Sequence, residues 1–205
     1  MRHKNWIKTL EISLLCAFVI SAAFSMTAFA RSCEVINESV LRMHVIANSD
    51  SEADQALKLQ VRDAVLAAGA DIFDGSVTAG EAEQRILPRI DELTRVAEET
   101  VRAAGFDYAV QVSVTQEYFN TRTYEGSVTL PAGVYHAVKV IIGSGQGQNW
   151  WCVMFPPLCL PAAADRAEID AVLQGEEIQV VEANPQYEPR FKIVEWFNQI
   201  KEKLS

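Results

Sequence analysis

Leu41-Arg42-Met43-His44-Val45-Ile46-Ala47-Asn48-Ser49-Asp50-Ser51-Glu52-Ala53-Asp54-Gln55-Ala56-Leu57 changes backbone regime part-way along its length. Val40 to Ala47 has the apolar, partly β-branched content of a strand, with Val45 and Ile46 near its end. Asn48-Ser49-Asp50-Ser51 is a cluster of turn and cap residues. Ser51 followed by Asp54 has the spacing of a capping box, with Asp in the place of Glu. A helix is therefore expected to begin here and run to about Ala68. Leu57, Val61, Ala64, Val65 and Ala68 share one face at helical spacing, Lys58, Arg62 and Asp63 point away, and Gly69 supplies a stop.

Towards the C-terminus the pattern stays helical and then turns to β. Thr78-Ala79-Gly80-Glu81 is a second capping box. Ala82, Ile86, Ile90, Leu93, Ala97, Val101 and Ala104 then trace a long apolar stripe up to Gly105. Pro88 interrupts it, either kinking one helix or opening a second at its first turn. Tyr108, Val110, Val112 and Val114 alternate with less apolar residues, the mark of a half-buried strand. Further strands are expected at Arg122 to Leu130, Val134 to Ile142 and Trp150 to Phe155. Gly143-Ser144-Gly145-Gln146-Gly147-Gln148-Asn149 reads as a hairpin turn between the last two. A short helix is expected near Asp165 to Leu173. A terminal amphipathic helix should start at about Arg190, with Ile193, Trp196, Phe197, Ile200 and Leu204 on one side. The class is α+β: an N-terminal strand and helices packed on a largely antiparallel sheet, with a C-terminal amphipathic helix.

Towards the N-terminus the character is different. Arg2, Lys4 and Lys8 precede an almost wholly apolar run from Ile12 to Phe24, followed by Ala28-Phe29-Ala30. A basic end, an apolar stretch and small residues at Ala28 and Ala30 are the parts of a secretory signal cut after Ala30. Ile12 to Phe29 is also close to the shortest helix that spans a bilayer, so an uncleaved anchor is the alternative. Arg31 makes Ala30-Arg31-Ser32-Cys33 a poor lipoprotein site. The domains expected are 1–30 as signal peptide or anchor and 31–205 as one exported domain.

Of 205 residues, 18 are Lys or Arg and 27 are Asp or Glu, a net charge of −9. Losing Arg2, Lys4, Lys8 and Glu11 with the leader leaves 15 basic and 26 acidic residues, or −11. That balance argues against a nucleic-acid partner and against polybasic attachment to a membrane surface. The exported portion is long enough to bury roughly 70% of its unfolded surface without a disulfide scaffold. Outside the cytoplasm Cys152 and Cys159 are a candidate disulfide across Phe155-Pro156-Pro157, two buried thiols being the alternative. Cys33 is then left over near the new terminus.

Several chemistries fail on spacing. The glycine loop lacks the following helix and the Lys of a phosphate cradle. Were Asp50, Glu52 and Asp54 the first ligands of a calcium loop, Gln55 would stand where Gly is required and Val61 where a Glu closes the site. Cys152, Cys159 and His136 match no common zinc spacing. Cys152 as a nucleophile needs His136 or His44 as its base, yet lies in an apolar strand beside Trp150 and Trp151. No catalytic group, cofactor or metal is expected. The turn after the first strand carries more polar chemistry than a cap needs, so Arg42, His44, Asn48, Asp50, Asp54 and Gln55 are candidate partner contacts. Fixing the strand–helix junction is their structural alternative.

Leu41 to Ser51, continuing through Asp54-Gln55-Ala56-Leu57-Lys58-Leu59 to Val61-Arg62-Asp63-Ala64-Val65, closely resembles the N-terminal signature of the stage II sporulation protein R family. Trp150-Trp151-Cys152-Val153-Met154-Phe155-Pro156-Pro157-Leu158-Cys159 resembles that family's second motif, and Arg190 to Phe197 its C-terminal end. The resemblance implies an exported sporulation signal. Members are made in the forespore, cross into the space between forespore and mother cell, and activate the membrane-embedded aspartic protease that processes pro-sigma-E. It implies contact with that protease as the activity, and no enzymatic step by the protein itself. An exported cell-envelope hydrolase or an envelope-anchored structural protein are the rival classes.

Overall fold

The computed structural model describes residues 2–73, 78–124, 128–156, 173, 176–181 and 190–196. Its elements are α1 (Arg2–Ser39), β1 (Leu41–Ile46), α2 (Glu52–Gly69), α3 (Ala79–Ile86), α4 (Ile90–Ala103), β2 (Val110–Phe119), β3 (Arg122–Tyr124), β4 (Val128–Leu130), β5 (Gly133–Ile142), β6 (Asn149–Phe155) and α5 (Glu176–Val181). A further helical stretch, α6, covers residues 190–196. The fold is mixed helix and sheet with a mostly antiparallel sheet.

The local signals operate as their chemistry requires. The Ser51 side chain accepts from the Asp54 backbone N–H, and Thr78 accepts from that of Glu81, so both helix starts are capped. Pro88 sits in a 3-10 turn (Leu87–Arg89) that separates α3 from α4. Across that break Ala82, Ile86, Leu93, Ala97 and Val101 are all buried. α2 ends at Gly69 and passes into a 3-10 turn (Ala70–Phe73).

The main sheet has the order β2-β5-β1-β6. β2 pairs with β5 and β6 with β1 antiparallel, whereas β1 and β5 run parallel, Leu41 opposite His136 through Ile46 opposite Ile141. Both faces of the sheet are covered. On one, Met43, Val45, Val138, Val140, Cys152 and Met154 meet Leu57, Val61, Leu93 and Val101 of the helices. On the other, Phe119, Tyr135, Ala137 and Val153 meet Phe29, Cys33 and Ile36 of α1, together with Leu130, Leu173, Val180, Val181 and Phe191. Covering both faces explains why β1 reads as an unbroken buried run and not as an alternation.

Four expectations are corrected. β5 and β6 are not hairpin partners, because β1 lies between them, so the glycine segment is a bridge over the end of β1. Arg122 to Leu130 is not one strand of the main sheet; β3 and β4 pair with each other as a separate two-stranded sheet. Lys58 does not face away but is buried, its ammonium donating to Gln55 Oε1 at 2.6 Å and to the Gln148 carbonyl at 3.1 Å. In α6 it is Phe191 that is buried, while Ile193 and Trp196 are 51% and 68% exposed. Phe197, Ile200 and Leu204, and the helix expected at Asp165 to its last residue but one, lie outside the described residues.

The bridge requires its glycines. Gly143 and Gly145 have φ of +58° and +62°, and a Cβ on Gly147 would fall 2.3 Å from the Ser49 carbonyl oxygen. Gly147→Ala should therefore cost about 2 kcal/mol, read as a lowered midpoint in urea unfolding. Gly80→Ala, where nothing lies within 4 Å of the new carbon, should not lower it.

Candidate functional site

The residues singled out in the first signature separate into two places. Asn48, Asp50, Asp54 and Gln55 gather at the C-terminal end of β1, under the glycine bridge. Arg42 and His44 point to the sheet face that α1 covers, as alternation along β1 demands.

At the bridge, Asp54 is the hub. Its Oδ2 accepts from Asn48 Nδ2 at 2.9 Å and from Ser49 Oγ at 2.5 Å. Asn48 in turn accepts at Oδ1 from the Ser144 N–H at 2.9 Å, and its carbonyl accepts from the Gln146 N–H at 3.2 Å. The Gly147 N–H donates to the Ala47 carbonyl at 2.9 Å, and the Gln148 N–H to Asp50 Oδ1 at 2.7 Å. Gln55 Nε2 donates to the Ser49 carbonyl at 2.9 Å. The polar surplus noted in the turn is thus spent largely on holding one loop over one strand end. What remains outward is Asp50, Ser144, Gln146, Asn149 and Trp150, all exposed. Arg62 lies over the Trp150 ring, 4.6 Å from its centroid.

The hydrogen bonds from Ser49 and Asn48 outweigh the cost of burial and hold the Asp54 carboxyl below its usual range. Burial pushes the Lys58 ammonium down, against the pull of Asp50.

The second place is a polar cluster inside the α1-side core. Arg42 is wholly buried, with its guanidinium 4.2 Å from the Phe119 centroid, 4.9 Å from Tyr135 and 5.6 Å from Tyr124. It donates to the Tyr124 hydroxyl. Among the described residues its Nε and Nη1 have no hydrogen-bond acceptor, and the ring faces compensate the buried charge. Burial lowers the Arg42 pKa and raises those of Tyr124 and Tyr135. His44 stacks on Trp151 at 5.2 Å between centroids, and its Nδ1 lies 2.6 Å from Glu117 Oε2. Glu117 also accepts from Lys139 at Oε1. Burial works against the Glu117 charge, but hydrogen bonds from Lys139 and His44 prevail and keep its carboxyl low. Arg122 of β3 covers the other side of this group, 4.6 Å from the Trp151 centroid.

Glu117, Lys139, Phe119 and Trp151 were not visible as partners of Arg42 and His44 in the sequence. Only β1's alternation hinted that Arg42 and His44 share a face. The strands that complete the cluster are set by tertiary pairing. His136, weighed as a base or ligand, lies at the opposite face, 2.8 Å from Glu83 and 2.9 Å from Gln116. Cys152 is disulfide-bonded and buried, so its sulfur is not a free nucleophile; Cys16 and Cys33 are free, and Cys159 lies outside the described residues. Among the described residues no group of three or more His, Cys, Asp or Glu is placed to hold a metal.

The turn and bridge, β1 and the Trp-rich strand β6 all fall within residues 37–165, which match the family model for stage II sporulation protein R. The chain belongs to this family. It is 36% identical over 143 residues to stage II sporulation protein R of Bacillus subtilis (strain 168), an alignment covering 70% of this chain and 62% of that relative. No solved structure matches it. Both sides of the bridge, Asn48 to Gln55 below and the start of β6 beyond, lie inside the matched residues.

Because the Asp54 carboxyl is depressed, its contribution to stability is present above the usual aspartate value of about 3.9 and is lost as the pH falls through its folded value. Asp54→Asn should be less stable than the parent at pH 7, and the gap should narrow on acidification towards pH 2.5. Urea unfolding across that range measures it. A constant gap would mean that the carboxylate's charge is not what matters.

Proposed function

We propose that the protein is an exported sporulation signal that acts by contact. It is made in the forespore, crosses the forespore membrane, and engages the membrane-embedded aspartic protease of the mother cell that processes pro-sigma-E. The observation that carries this reading is family membership across the whole β1-to-β6 framework, joined to an N-terminal apolar helix of the kind that directs export. A ligand of this sort shifts its partner only through a difference in affinity for the partner's inactive and active arrangements. A rigid, prearranged surface serves that purpose, since little is lost in ordering it on contact.

The bridge over β1 fits that requirement better than the Arg42 cluster does. Arg42 and His44 are enclosed, whereas Asp50 of the turn, Ser144 and Gln146 of the bridge, and Asn149 and Trp150 at the start of β6 stand outward where turn and bridge are cross-tied by backbone and side-chain hydrogen bonds. Asn48, Asp54 and Gln55 then act as supports for the contact surface and not as the contact. The partner is a protein; the acidic balance of the chain remains unsuited to nucleic acid.

Co-expression with the membrane protease and its pro-sigma-E substrate in a non-sporulating host tests the proposal. Processing should depend on the presence of this chain. Gln146→Lys combined with Asn149→Lys should reduce processing at least about tenfold, corresponding to roughly 1.4 kcal/mol of lost contact, with an unchanged unfolding midpoint. Full processing by that variant would remove the bridge as the docking surface. Processing that proceeds equally without the chain would remove the signalling role itself.

A further inference from the structure

We propose that the leader is retained: α1 stays in the bilayer as an anchor, and the domain rests on the outer surface of that same membrane through α6. This goes beyond the signalling role and does not depend on it.

The first observation is the continuity of α1. It is a single helix from Arg2 to Ser39, passing through Ala28, Phe29 and Ala30 without a break. Between Glu11 and Arg31 the sequence carries no charge, a length of about 28 Å at the helical rise, close to the hydrocarbon thickness of a bilayer. From Ile12 to Phe24 the large apolar side chains, among them Leu14, Phe18 and Phe24, are exposed. Arg2, Lys4 and Lys8 precede it, which keeps that end on the cytoplasmic side.

The second observation is what the same helix does further on. Phe29, Cys33 and Ile36 recur at helical spacing and are, with Val40 just past the helix end, buried in the core on the α1 side of the sheet. Asn37 packs against Gly133, where a Cβ would meet its side-chain nitrogen at 1.9 Å. A cut after Ala30 would pass through this helix and remove Phe29 from the core. It would also need Ala28 and Ala30 unwound into an extended form, against the helix they occupy. The chain therefore treats the residues around the small-x-small pattern as domain structure.

The third observation places α6 beside the exit of α1. The Phe191 ring meets Phe29 edge-on at 5.4 Å, and the Arg190 guanidinium lies 5.9 Å from the Phe29 centroid. With Phe191 turned inward, Ile193 and Trp196 are left outward, and Lys192 is exposed as well. Trp196 is about 7.5 Å along the helix from Phe191 at the helical rise. An exposed indole and an exposed aliphatic side chain, beside the Lys192–Glu195 pair at 3.4 Å and adjoining a helix long and apolar enough to cross a membrane, suit an interfacial contact.

The test uses the full chain expressed in a bacterium with its own signal peptidase. Intact mass of the membrane-extracted protein should include the leader, and Phe29→Ala should lower the unfolding midpoint of that product. A mature product beginning at Arg31 would overturn the proposal, as would a midpoint indifferent to Phe29. After reconstitution into phosphatidylcholine–phosphatidylglycerol vesicles with brominated acyl chains, Trp196→Phe should remove part of the lipid-quenched tryptophan emission. An unchanged quenched fraction would overturn the surface contact of α6. None of these readouts involves sigma-factor processing, so their failure is distinct from failure of the signalling role.

Discussion

A strand order that places β1 between β5 and β6 obliges the chain to cross the end of β1 on its way from one neighbour to the other. The polar residues from Asn48 to Gln55 answer that crossing. A backbone passing over a strand end exposes N–H and carbonyl groups that need partners. Asn48 and Asp50 supply them, and Asp54 holds Asn48 in place from the first turn of α2. Glycines at 143 and 147 let the two chains approach to distances that a side chain would forbid. The helix cap and the bridge are one hydrogen-bonded unit, so the start of α2 and the spacing of the two strands flanking β1 are coupled.

The other face of β1 meets a different constraint. The strand is buried on both sides, yet it carries Arg42 and His44 on the α1 side. Each finds a local solution. Arg42 is enclosed by aromatic faces, and His44 shares Glu117 with Lys139 while stacking on Trp151. Removing one member of such a group leaves a buried charge uncompensated, which costs more than the group's net worth. The cluster thus joins β1, β2, β5, β6 and the small β3–β4 sheet through charge and aromatic contact where an aliphatic core would have joined them by area alone.

These two arrangements give the molecule a division of labour. The α2–α4 side is a conventional aliphatic core. The α1 side combines the C-terminal part of α1, the polar cluster and α6, and it is the side from which the long apolar stretch of α1 departs. The rigid bridge lies at the far end of β1, about 20 Å of strand from the last residues of α1.

Local chemistry was legible in the residues. The strand at Leu41, the N-caps Ser51 and Thr78, the Pro88 break and the α3–α4 stripe depend on neighbours within a few positions, and each took the form its spacing required. Sheet order, the parallel pairing of β1 with β5, the separate β3–β4 sheet and the burial of Lys58 depend on groups far apart in the chain. A loop's length does not say whether it turns back on its own strand or crosses a neighbour, so the glycine segment read as a hairpin. Nor does apolar periodicity say which face of a helix finds a core: in α6 Phe191 met Phe29, and Ile193 and Trp196 were left outward. The sequence by itself determined the elements, because capping and periodicity act within a turn or two of backbone. Only the tertiary structure decided what those elements enclose, because that is a competition among distant surfaces for the same buried space.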